Sequence, residues 1–110
     1  MPTESTAFLA VVTTVDSQPQ AQHMARTLVE RGLAACAQIS EIESFYTWDG
    51  AVQHGQEFRV LFKTTRARYA ALEQAIRELH SYELPAIHAY AIEEIYAPYA
   101  AWVASACQSQ

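Results

Sequence analysis

Residues 7–14 form a largely apolar run with polar residues on either side, which predicts a central strand buried on both faces. Ser17 stands three residues before Gln20, the spacing of a capping box, and Pro19 fits the first turn of a helix. Ala21, Met24, Ala25, Leu28 and Val29 then recur at helical spacing, and Gly32 supplies the stop. A hairpin follows over 35–65, its first arm beginning near Ala34 and its clearest extended stretches 39–48 and 52–64, joined at Asp49-Gly50, the dipeptide that a two-residue type I′ turn prefers. A second helix starts after Thr65 and carries Tyr69, Leu72, Ile76 and Leu79 on one stripe. Pro85 excludes the preceding residue from a helix, so 80–84 reads as a loop and 87–95 as a returning strand. Pro98 suits the first position of a last helix, whose stripe is Tyr99, Trp102, Val103 and Ala106.

This order predicts an α+β, ferredoxin-like βαββαβ sandwich with a long hairpin and an extra C-terminal helix, in one domain over 1–110. The hairpin is long for such a domain. Twelve residues of strand extend about 40 Å at roughly 3.3 Å per residue. A compact domain of this length, with a radius of gyration near 13 Å, is only about 34 Å across. The tip must protrude, and it carries Phe45, Tyr46 and Trp48. An exposed apolar ribbon is an aggregation hazard unless other copies of the chain cover it, so the expectation is an obligate oligomer.

Composition narrows the partners. Charged residues are 17% of the chain, the net charge is −5 and the pI is near 5.2, which gives no reason to expect nucleic acid. Two cysteines, Cys36 and Cys107, are too few for a disulfide framework and suit a reducing compartment. The opening MPTESTAF has neither a basic n-region nor a long apolar stretch, and no run approaches the ~18 residues of a membrane span. A cytoplasmic protein without membrane contact is expected. Three glycines rule out GxGxxG and GxxxxGK[ST] loops. There is no G-x-S-x-G, C-x-x-C or H-E-x-x-H, and no nucleophile–base pair can be read from local spacing, so an enzyme is the least favoured class.

What remains is a set of separated motifs: Ala34-Ala35-Cys36, Tyr46-Thr47-Trp48-Asp49-Gly50, Lys63-Thr64, His80-Ser81-Tyr82-Glu83-Leu84-Pro85, and Tyr99 with Trp102. In order and spacing, from about Leu9 to Val103, they closely resemble the CutA family of divalent-cation tolerance proteins. The resemblance implies a tight homotrimer, related in fold to the PII signal proteins, with clefts between subunits. It implies a non-catalytic role in divalent-metal homeostasis, with Cu(II) or another divalent ion bound weakly and not required for folding. The metal candidates it carries over are Cys36, His80 and Glu83; thiolate and imidazole suit copper and zinc, and a carboxylate completes a shell. The cleft candidates are Trp48, Glu57, Lys63, Tyr82, Tyr99 and Trp102.

Simpler readings stand beside these. Cys36, flanked by alanines at a strand start, is equally a small buried hydrophobe. His80 could cap the carbonyls ending the second helix. Tyr99 and Trp102 are most simply packing residues. Two departures also weaken a metal site: Ala86 stands where the family commonly has glutamate, and Thr13 offers no thiol. The alternative function is a PII-like trimer whose clefts bind a small metabolite and which signals to a partner protein.

Overall fold

The computed structural model describes residues 7–108. Residues 1–6 and 109–110, which belong to the expected domain and include most of the opening segment, lie outside the described residues. The elements run β1 (Phe8–Val15), α1 (Gln18–Glu30), β2 (Cys36–Trp48), β3 (Ala51–Thr65), a 3₁₀ turn (Arg66–Arg68), α2 (Tyr69–Leu79), β4 (Ile87–Ala91) and α3 (Ala97–Ala106). The four strands form one antiparallel sheet in the order β2-β3-β1-β4, the ferredoxin-like arrangement.

Local chemistry sets the ends of α1. The Ser17 Oγ accepts from the Gln20 N–H at 3.2 Å. The Gln20 side chain does not complete a capping box; it meets the Ser81 hydroxyl in the loop after α2. At the other end Gly32 has φ +71°, its N–H donates to Val29 O, and the Leu33 N–H donates to Leu28 O. That is a Schellman stop, and it needs the left-handed conformation that glycine adopts without penalty.

Both α1 and α2 lie on one face of the sheet. Ala21, Met24 and Leu28 from α1 and Leu72, Ala75 and Ile76 from α2 close over Leu9, Val11, Val15, Val60 and Phe62. A second, smaller cluster joins Val103 and Cys107 to Ala35, with Phe8 and Tyr99 against it. Trp102, expected on the buried stripe of α3, is 48% exposed.

The hairpin's first strand starts at Cys36, close to the expected start near Ala34. Cys36, Ala37 and Gln38 join β2 because Lys63, Phe62 and Leu61 opposite them are already held against β1. Asp49 (φ +53°) and Gly50 (φ +75°) make the turn, and Trp48 pairs with Ala51 across it, as the type I′ geometry requires. The long axis of the molecule is 44 Å and the radius of gyration 14.7 Å, above the roughly 13 Å of a compact domain this size. β4, expected over 87–95, stops at Ala91. Ile92 still donates to Phe8 O, but Phe8 is the first residue of β1, so 93–95 have no strand left to pair with.

Phe62 is fully buried where the two helices meet the sheet. Replacing it with alanine should cost about 3–5 kcal/mol, measured by denaturant unfolding at fixed protein concentration. A loss below about 1 kcal/mol would mean that the core closes over the gap.

Candidate functional site

A concave surface feature lies where the hairpin meets the loop between α2 and β4. It is a groove of about 730 Å³, within the range of small-molecule sites. Glu57 and Thr14 contribute from the sheet, Tyr46 and Trp48 from the outer half of β2, and Tyr82, Glu83 and Ala86 from the loop. Strand alternation explains the hairpin's share. Val60 and Phe62 face the helices, so Glu57, and with it Ile42, Ser44, Tyr46 and Trp48, turns to the opposite face.

One hydrogen bond ties the two walls together. The Tyr82 hydroxyl donates to the Glu57 carboxylate at 2.7 Å. Burial, followed by this bond and the nearby negative charge of Glu57, raises the Tyr82 pKa well above the ordinary tyrosine range. His80 positions the loop from beneath. Its Nε2–H donates to the Thr14 carbonyl at 2.8 Å, and its Nδ1 accepts from the Tyr82 N–H at 3.1 Å. This arrangement specifies a neutral ring with both nitrogens engaged. His80 therefore does not cap the end of α2; it fastens the loop to β1.

The remaining cleft candidates gather elsewhere, at the base of the hairpin. Tyr99 stacks on Trp102 with ring centroids 5.7 Å apart, and the Lys63 ammonium lies 6.0 Å from the Tyr99 centroid. Lys63 also donates to Gln38 at 3.3 Å. The Cys36 Sγ lies 3.7 Å from the Tyr99 hydroxyl, and burial with this thiol contact raises the Tyr99 pKa. Within one chain the six cleft candidates thus divide into two groups, with Trp48, Glu57 and Tyr82 at the groove and Lys63, Tyr99 and Trp102 at the hairpin base.

The metal candidates do not form one site within a chain. Cys36 sits at the register of Lys63 and Ala10, whereas His80 is anchored at Thr14, four residues or about 13 Å farther along β1. Glu83 lines the groove, and Ala86 beside it supplies only a methyl group. Among the described residues no group of three or more His, Cys, Asp or Glu is placed to hold a metal ion. Cys36 is half-buried, and both cysteines are free thiols. Sequence reasoning missed Thr14 and Tyr46 as groove residues. The period-2 pattern of the hairpin assigns Tyr46 to the same face as Glu57, and that signal could have found it.

The profile of the family described as CutA1 divalent ion tolerance protein matches residues 9–106. A divalent-cation tolerance protein CutA of Thermus thermophilus is 38% identical over 94 residues, 84% of this chain and 91% of that protein. One from Thermococcus kodakarensis is 32% identical over 96 residues, 87% of this chain and 92% of that protein. Among solved structures, CutA from Synechococcus elongatus superposes with a TM-score of 0.91 at 34% identity, covering 94% of this chain and 92% of that one. The periplasmic divalent cation tolerance protein CutA from Archaeoglobus fulgidus gives 0.90 at 30% identity, with 92% and 99% covered. No helix among the described residues is long and apolar enough to cross a membrane.

The Tyr82–Glu57 bond predicts a pH dependence. A tyrosine whose pKa is raised on folding adds stability below the unfolded value of about 10 and loses it as pH climbs through the folded value. Tyr69 beside Glu73 and Tyr99 beside Cys36 shift the same way. Urea midpoints should therefore fall between about pH 9 and pH 11, and fall less in Tyr82→Phe. Identical slopes in the two proteins would show that the bond does not persist in solution.

Proposed function

The chain belongs to the CutA1 family of divalent ion tolerance proteins, and on that footing we propose that it is a non-catalytic, homotrimeric cation-binding protein of the cytoplasm that acts in metal-ion tolerance. The observation that carries the assembly is the hairpin. Among the described residues β2 pairs only with β3, which leaves its outer edge without a partner strand over 36–48. Phe45, Tyr46, Trp48 and Val52 stand 42–74% exposed on this ribbon in the single chain. An edge of that length and apolar character is stable in water when copies of the chain cover it. The two free thiols support a reducing compartment.

The dispersal of Cys36, His80 and Glu83 supports weak ion binding, with Cu(II) the first candidate, at donors that come together only where subunits meet. Of the three, Cys36 is the soft donor and His80 is already committed to the fold. A second reading, a PII-like trimer that binds a small metabolite, is favoured by the groove at Tyr82 and Glu57.

Light scattering should give roughly three times the 12.3 kDa chain mass. Cu(II) calorimetry on that assembly should show affinity about tenfold weaker in Cys36→Ala and changed by less than about threefold in His80→Ala, each tenfold being 1.4 kcal/mol. Affinity should also decline at acid pH, because the ligands bind deprotonated. A folded monomer would overturn the assembly, and equal affinity in all three proteins would remove Cys36 from the metal reading.

A further inference from the structure

We infer that only one of the two faces of the hairpin ribbon meets the neighbouring copy of the chain, and that Gly55 is where that copy comes closest. The inference rests on the assembly reading and names the surface through which the copies meet. The unbroken register from Cys36–Lys63 to Trp48–Ala51 sorts the side chains of the ribbon onto two faces. Ser44, Tyr46 and Trp48 share the helix-free face with Gly55, Gln53 and Ala51, and none of them is charged. The reverse face carries Glu41, Glu43, Phe45, His54 and Gln56. Its polar groups already have partners within the chain. Gln56 donates to Glu41, His54 pairs with Glu43 at 2.8 Å, and the His54 ring stacks on Phe45 with centroids 4.1 Å apart. Contact through this face would bring its carboxylates up to a second chain whose net charge is −5, which opposes association.

Nothing in the described part of the chain requires glycine at position 55. Strand glycines commonly serve a positive φ or a bulge. The glycines with positive φ are Gly32 and Gly50, and the β2–β3 register runs past Gly55 without a break. A Cβ built on Gly55 would meet no atom of the described residues within 4 Å. Ser44, directly opposite, is small as well, so the pair makes a shallow notch beside Tyr46 in an uncharged face.

Glycine weakens a strand interior, and where the chain itself does not call for it, it marks the close approach of another backbone. A second copy is the occupant that fits. The notch is continuous with the β2 edge, which among the described residues has no partner strand over 36–48. An uncharged centre with charged groups kept to its margin is also the composition of a subunit interface. Tyr46 and Trp48 border the groove at Tyr82 too, so the seated copy forms one of its walls.

The test follows dissociation of the assembled protein in urea by light scattering, with valine placed on either face of the ribbon. Valine favours a strand over glycine or serine, so Gly55→Val and Ser44→Val would stabilise an uncovered ribbon. Under a closely seated copy each should instead lower the dissociation midpoint, by roughly 1 M. Gln56→Val and Thr47→Val, on the reverse face, should move it by less than about 0.3 M. Gly55→Ala adds one methyl group in space that is open within the chain, and should shift the midpoint the same way by a smaller amount, which separates lost contact from misfolding of the valine variants. If the Gly55 and Ser44 variants dissociate at the wild-type midpoint or above it, the inference is overturned while the assembly reading stands. An equal loss in the reverse-face variants overturns it as well. A wild-type chain that is monomeric before urea is added removes both.

Discussion

The antiparallel ladder of β2 on β3 is the constraint from which the rest follows. It runs from Cys36 opposite Lys63 to Trp48 opposite Ala51, and its basal half is locked because β3 also pairs with β1 from Phe58 to Thr65. Beyond Phe58 the ribbon leaves the sheet's support. This division places charged and aromatic side chains of the outer half next to the 80–86 loop, and among the described residues it leaves the β2 edge without a strand to pair with. The groove and the unpaired edge thus have one origin.

Most of the fold was legible in the sequence because short-range chemistry set it. Ser17, Gly32 and Asp49-Gly50 each act within a few residues, and the stripe of Ala21, Met24 and Leu28 needs only helical periodicity. Errors arose where a neighbouring strand decided. β4 ends at Ala91 because β1 ends opposite it. Trp102 fell on an apolar stripe by spacing, yet it stacks on Tyr99 of its own helix and stays half exposed.

The site was less legible, because its chemistry depends on hydrogen bonds between residues far apart in sequence. His80 is the clearest case. Its position at the end of α2 suggested a helix cap or a metal ligand, whereas the structure spends both ring nitrogens on Thr14 and Tyr82. The loop is thereby held at the height where Tyr82 reaches Glu57, twenty-five positions earlier. Cys36 instead lies with Tyr99 and Lys63 at the other end of the hairpin. Residues grouped by motif order are therefore two groups in space within one chain.

The central claim is that the hairpin edge is finished by another copy of the chain. Hydrogen exchange of the individual β2 amides tests it most directly. Alternate amides of this strand point inward to β3, and those between them point to the open edge. If a neighbouring subunit pairs with the edge, the outward amides over 39–48 will exchange as slowly as the inward ones beside them. Outward amides that exchange at the rate of unstructured peptide, while the inward set stays protected, would contradict the account.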